Sequence, residues 1–230
     1  MLYDSIFTYL TPLGKGAVWT LALFLSSAVL AVLLGLITCF ARMSKVRLFR
    51  NTAKVYIEIV RGTPLLVQLF FIYYGLPELG IVMSGFVAGT IGLTINFGAY
   101  LAELFRGGIQ SVSSGQHEAS RALNLTTLQR LHYVVIPQAA RTIFPALSNY
   151  ALVLVKETSL VAIISVSELL RSGEMLAAAT FEPLFVYSLV AGIYMVMCGI
   201  ISMMFQRGEK KLSVPGYWDG ASDNIDLTKT

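Results

Sequence analysis

The residue types best suited to chemistry in this 230-residue chain sit where charge is expensive. Lys156 and Glu157 stand side by side in an otherwise apolar run over 142–167, followed by Thr158 and Ser159. An ionisable group at membrane depth costs roughly 2.5–3.5 kcal/mol on insertion scales, so it marks a functional site or a dedicated partner. If the helix carrying them starts near Thr142, Lys156 lies about 21 Å along it, past the midplane of a ~30 Å hydrocarbon layer. Adjacent helical residues do not face one another, so each charge needs its own partner. Two readings stand: each bonds a neighbouring helix, as Lys156 could with Glu103, or one of them lines a path that meets a zwitterionic solute.

Two further polar sets share this property. Asn96, Tyr100 and Glu103 recur at i, i+4 and i+7 and form one polar stripe, which is expected to face protein or a wet cavity rather than lipid. Glu58 and Arg61, at i and i+3, are expected to pair on one helix face. Pro64 removes a helix hydrogen bond and is expected to kink that span into a gate, with Gln68 one turn beyond. Gly85-x-x-x-Gly89 permits close helix packing, and Phe71, Tyr73 and Tyr74 read as an interfacial belt. His117 and His132 have no partner set suited to a metal or a general base, and Cys39 and Cys198 fit no metal or disulfide spacing. No catalytic residue and no metal ligand is expected.

The elements that position these groups follow from charge spacing. Charged residues make up 13% of the chain against about a quarter in soluble domains. Hydrophobic residues reach 56% and the mean hydropathy is +0.70. Together these exclude a disordered chain and an ordinary soluble domain. Uncharged stretches cover 16–41, 79–102 and 183–206, each longer than the ~20 residues a helix needs to cross a bilayer. The interrupted runs over 52–77 and 142–167 bring the expected total to five spanning helices, since alternating barrel strands are absent. Thirteen of the seventeen Lys and Arg residues fall in the loops after spans one and three and at the C-terminal end. The positive-inside rule then places the N-terminus outside and the C-terminus in the cytoplasm. No cleaved leader is expected. The net charge of +4 is thus an orientation signal. An odd span count with no internal repeat argues against a self-contained carrier built from inverted halves. The chain also lacks a phosphate-binding G-x-x-x-x-G-K-[ST] loop.

The stretch 104–141 is the least membrane-like part. Residues 115–123 form an expected short helix with Glu118 in its first turn. Asn124 tolerates the left-handed conformation that ends helices. Thr126-Thr127-Leu128-Gln129 matches a capping box, so a second helix is expected from Thr126, with Pro137 marking its bend toward the next span. This is a two-helix shelf, either lying on headgroups or docking a soluble partner.

Glu118-Ala119-Ser120, Asn124, Val134, Ile136 and Pro137 resemble the EAA loop of ABC-importer permeases, with its spacing kept. Arg61-Gly62-Thr63-Pro64-Leu65, Tyr73-Tyr74-Gly75-Leu76-Pro77, Ala99-Tyr100-Leu101-Ala102-Glu103, Pro137-Gln138-Ala139-Ala140-Arg141 and Lys156-Glu157-Thr158-Ser159-Leu160 are similar to the polar amino-acid branch of that family. The resemblance runs from about Gly14 to Arg207. It implies an all-α membrane protein of the type I importer (MetI-like) fold in the bacterial inner membrane. It further implies one permease domain over 1–207, with the coupling loop at 104–141 and a cytoplasmic tail over 208–230.

The implied function is ATP-driven import of a polar or charged amino acid. No cofactor is then bound by this chain, because ATP and Mg belong to a partner ATPase pair. The other implied partners are a second permease subunit, alike or related, and a periplasmic or lipid-anchored amino-acid-binding protein; no nucleic acid is implied. On this resemblance Glu118, Ala119, Ser120, Asn124, Leu125 and Pro137 couple to the ATPase, and Arg61 and Pro64 form a gate. Glu157, Lys156, Thr158, Ser159, Asn96, Tyr100, Glu103 and Gln68 line the substrate path. A proton-coupled carrier and a membrane scaffold are the competing readings.

Overall fold

A computed structural model describes residues 2–212, and its secondary structure among them is helical. The helices are α1 (Leu2–Met43), α2 (Arg47–Arg61), α3 (Leu65–Phe70), α4 (Gly85–Gln110), α5 (Ser114–Ala122), α6 (Thr127–Arg130), α7 (Ile136–Glu157), α8 (Leu169–Thr180) and α9 (Pro183–Leu212). Short π and 3-10 turns extend α3 through Leu79, join α6 to α7, and extend α7 over Thr158–Ile164. Four runs are long and apolar enough to cross a membrane: Thr8–Met43, Gly85–Gln110, Thr127–Ile164 and Pro183–Lys210. The bent pair Arg47–Arg61 and Leu65–Leu79 makes a fifth if it is counted as one span.

Helices α1 and α4 form the spine and run parallel. Ser26 Oγ lies 3.4 Å from Thr90 Oγ1 in the middle of the pair, and Arg42 lies 4.0 Å from Glu103 at one end. A Cβ added to Gly35 would come within 2.9 Å of Leu101 Cβ, so the glycine permits this close approach. Leu23, Ala31, Cys39, Ala88, Leu93, Phe97 and Leu101 fill the seam. Cys39 is buried and unbridged, as a packing residue should be.

The second span departs from expectation. It is not one helix kinked at Pro64 but two helices meeting at 104°. Gly62 closes α2, its N–H donating to the Glu58 and Val60 carbonyls, and Pro64 opens α3 with ψ of 139°. Proline disfavours helical geometry in the residue before it, so Thr63 cannot carry α2 onward. Gln68 Nε2 then donates to the Val60 and Thr63 carbonyls at 2.8 and 2.9 Å, satisfying acceptors that the break would strand.

The shelf is as ordered as its sequence suggests, with two differences. Asn124 has φ of 54°, and the Thr126–Gln129 capping box is complete, with hydrogen bonds of 2.9 and 3.3 Å. The helix α5 begins at Ser114, which moves Glu118 out of the first turn. The second shelf helix does not stop before the fourth span either. It runs into it through a π turn at Leu131–Val135, and Pro137 lies directly after that turn, inside the continuous helix. The helix α9 continues past Arg207 to Leu212, so only the first residues of the 208–230 tail fall within the description; 213–230 lie outside it.

Sequence reading leaves 168–182 unassigned, yet it contains α8. That helix packs against α1 and α9 at the end of the bundle opposite the shelf, and 3-10 turns link it to α7.

Candidate functional site

A cavity of about 550 Å³ opens on one side of the chain between the α2–α3 corner, α4 and α7. Arg61, Gly62, Thr63, Pro64 and Leu65 form one wall, Asn96, Phe97 and Tyr100 the second, and Tyr150, Val153, Glu157 and Leu160 the third. The 104° corner forms one side of this space, with α2 and α3 both packed on α4.

The charged groups in the cavity are unspent. The Arg61 guanidinium stacks over the Tyr100 ring at 5.1 Å and makes no ion pair among the described residues. Such a cation–π contact holds the head group in place while leaving its N–H edge free. Glu157 has no hydrogen bond or ion pair among the described residues, and neither has the amide of Asn96, which is only 6% exposed. A buried amide normally finds a partner. Here the direction left for one is the cavity. A cation, an anion and an amide around one space can hold a small zwitterion by both its ends.

Several expected partnerships are not made. Glu58 pairs with Lys54 at 3.6 Å, not with Arg61, because Arg61 is drawn over Tyr100. Glu103 does not bond Lys156. Arg106 holds it at 2.6 Å and Arg42 approaches to 4.0 Å, which ties the ends of α1 and α4 together away from the cavity wall. The cavity takes in Asn96, Tyr100 and Glu157 from the proposed path, and Arg61 and Pro64 from the proposed gate. It leaves out Lys156, Thr158, Ser159, Glu103 and Gln68. Lys156 is exposed on another face of α7, and the fully buried Thr158 donates to the Val155 carbonyl at 2.8 Å. Tyr150, Val153 and Leu160 are lining residues that the sequence reading missed; they follow Glu157's face of α7 at helical spacing.

The shelf gathers Glu118, Ala119, Ser120, Asn124 and Leu125 into one turn. The Leu125 N–H donates to the Ser120 carbonyl at 3.1 Å, Asn124 to Arg121 at 2.8 Å, and the buried Ser120 hydroxyl to His117 at 2.8 Å. A small core of Val112, Val135 and Ala139 fixes the shelf to α7. Its outer surface carries Leu123, Leu128 and Tyr133, each more than two-thirds exposed, beside Glu118 and Arg121.

The sequence profile described as "Binding-protein-dependent transport system inner membrane component" matches residues 31–208. The chain belongs to that family. Among its relatives, the probable amino-acid ABC transporter permease YckA of Bacillus subtilis is 40% identical over 197 residues, 86% of this chain and 87% of that protein. The glutamine transport system permease GlnP of Escherichia coli K12 is 34% identical over 214 residues, 92% and 98% of the two chains. A solved amino acid ABC transporter, crystallised with histidines, superposes with a TM-score of 0.84 at 38% identity over 90% of this chain and 97% of that one. The inward-facing MetNI methionine transporter shares the fold with a TM-score of 0.76 at 19% identity, covering 88% and 97%. This permease therefore has the MetI-like type I importer fold, and it is an inner-membrane component of a binding-protein-dependent ABC import system in bacteria. Its family works with an ATPase and a substrate-binding protein.

Proposed function

We propose that this permease passes a polar amino acid through the Arg61–Asn96–Glu157 cavity and takes its driving force from a separate ATPase gripping the α5–α6 shelf. The observation that carries the path is the set of unpartnered groups around one opening: a guanidinium, an amide and a carboxylate. Glu157 receives the α-ammonium and Arg61 the α-carboxylate, so the shared head group of amino acids is held while the side chain meets Tyr100, Tyr150 and Leu160. The open side of the cavity is closed by a second permease subunit, since charged groups do not face lipid.

Coupling rests on the rigid turn at Ser120–Leu125 and the exposed Leu123, Leu128 and Tyr133 around it. ATP and Mg stay on the ATPase, the N-terminus lies outside, and residues 1–207 act as one domain whose cytoplasmic loop at 104–141 is the lever. The loaded binding protein meets the opposite end, where α8 lies. Purified complex in liposomes tests this. Uptake should require ATP and binding protein together, and Glu118→Lys should leave assembly intact while uptake is lost. Uptake driven by a proton gradient alone would contradict the reading.

A further inference from the structure

Glu168 is fully buried and has no cation beside it among the described residues. Its carboxylate instead accepts four hydrogen bonds. Two come from its own helix, the N–H groups of Leu170 and Arg171 at 2.9 and 2.7 Å, so it is the N-cap of α8. The other two come from different helices: the Tyr194 hydroxyl of α9 at 2.9 Å and the Thr20 hydroxyl of α1 at 3.3 Å. Thr20 Oγ1 accepts in turn from the Leu169 N–H at 3.1 Å. Capping α8 needs only an acceptor on a short side chain, and Asp, Asn or Ser would serve better. A fully buried glutamate is a costly choice for that task alone, and its extra length is spent reaching α1 and α9.

The neighbouring packing is equally close. A Cβ on Gly16 would lie 2.9 Å from Leu169 Cα, and one on Gly173 would lie 2.6 Å from Val190 Cγ2, so α8 is seated directly on both spans. The chain from Glu157 to Glu168 is short and anchored at intervals: 3-10 turns over Thr158–Ile164, then Ser165 at φ of 65°, with Thr158, Val161, Ala162, Ile164 and Val166 buried while Ile163, Ser165 and Ser167 are exposed. The start of this strap carries Glu157 and Leu160, two lining residues of the cavity.

We propose that Glu168 is a positioning residue for transport: by pinning the far end of the strap to α1 and α9 it sets where the Glu157 carboxylate stands in the cavity. The proposal rests on the transport path described above. The test uses the complete importer in liposomes, with amino acid moved per ATP hydrolysed as the readout and assembly checked by size exclusion. Glu168→Asp keeps the helix cap but is one methylene too short for Tyr194 and Thr20. Tyr194→Phe keeps the ring and removes only its hydrogen bond.

Both variants should assemble and hydrolyse ATP, while amino acid moved per ATP falls by roughly tenfold or more, the scale of a lost hydrogen bond to a charged group. Glu168→Gln, which retains length and half the acceptors, should restore part of the ratio relative to Glu168→Asp. Wild-type ratios in Glu168→Asp and Tyr194→Phe would overturn the proposal and leave the path intact. A wild-type complex that moves no amino acid would overturn the path itself.

Discussion

Two glutamates eleven residues apart divide the labour of this molecule. Glu157 lines an open cavity and has no partner among the described residues; Glu168 is fully buried and has four. Sequence marks Glu157, beside Lys156 in an apolar run, as a candidate for the path, but it says nothing of the buried role of Glu168. The distinction lies in what the fold places around each. At Glu168 three helices supply donors to both carboxylate oxygens, so the charge serves the architecture. At Glu157 the α2–α3 corner at Gly62–Pro64 stands across a cavity, and on the proposed path the carboxylate is the group that meets the passing amino acid.

The contrast can be broken or sharpened by substitution. Glu157→Ala should cut uptake by roughly a hundredfold, since truncating one partner of a desolvated charge pair costs about 2–5 kcal/mol. Its melting temperature should be unchanged, because no intrachain bond is lost. A parallel fall in stability would show that Glu157 is structural too. Glu168→Leu should behave in the opposite manner and lose about 3 kcal/mol of stability, read by thermal unfolding in detergent, because four donors are stranded. Gly16→Val should cost about 1–3 kcal/mol by overpacking α1 against Ser172 and Leu169. Arg171→Ala removes an exposed pair with Glu174 at 3.0 Å and should change stability by less than about 1 kcal/mol.

Much of the scaffold was legible because lipid imposes a simple rule: long uncharged runs became α1, α4 and α9. The shelf was legible for local reasons. Asn124 in the left-handed region and the Thr126–Gln129 box depend on side chains within three residues of the backbone they serve. Nonlocal features escaped. Thr20 and Tyr194 lie 148 and 26 residues from Glu168, so nothing near it in sequence announces its role. Pro64 taken alone leads to an expected kink, whereas Gly62 and Pro64 together end one helix and begin another. The i, i+3 spacing of Glu58 and Arg61 suggested a pair, but Tyr100, from a different span, captured the arginine. Within the candidate site, Asn96, Tyr100 and Glu157 converge; Glu103 fits the same stripe but was claimed by Arg106 at the helix end.

The most direct test of the account is whether water and substrate reach the cavity. In a chain with Cys39→Ala and Cys198→Ser, Val153→Cys places one thiol on its wall. The account predicts that a membrane-impermeant thiol reagent labels this position in the assembled importer, and that transported amino acid slows the labelling. A thiol that stays unlabelled, or that labels at the same rate with and without amino acid, would contradict it.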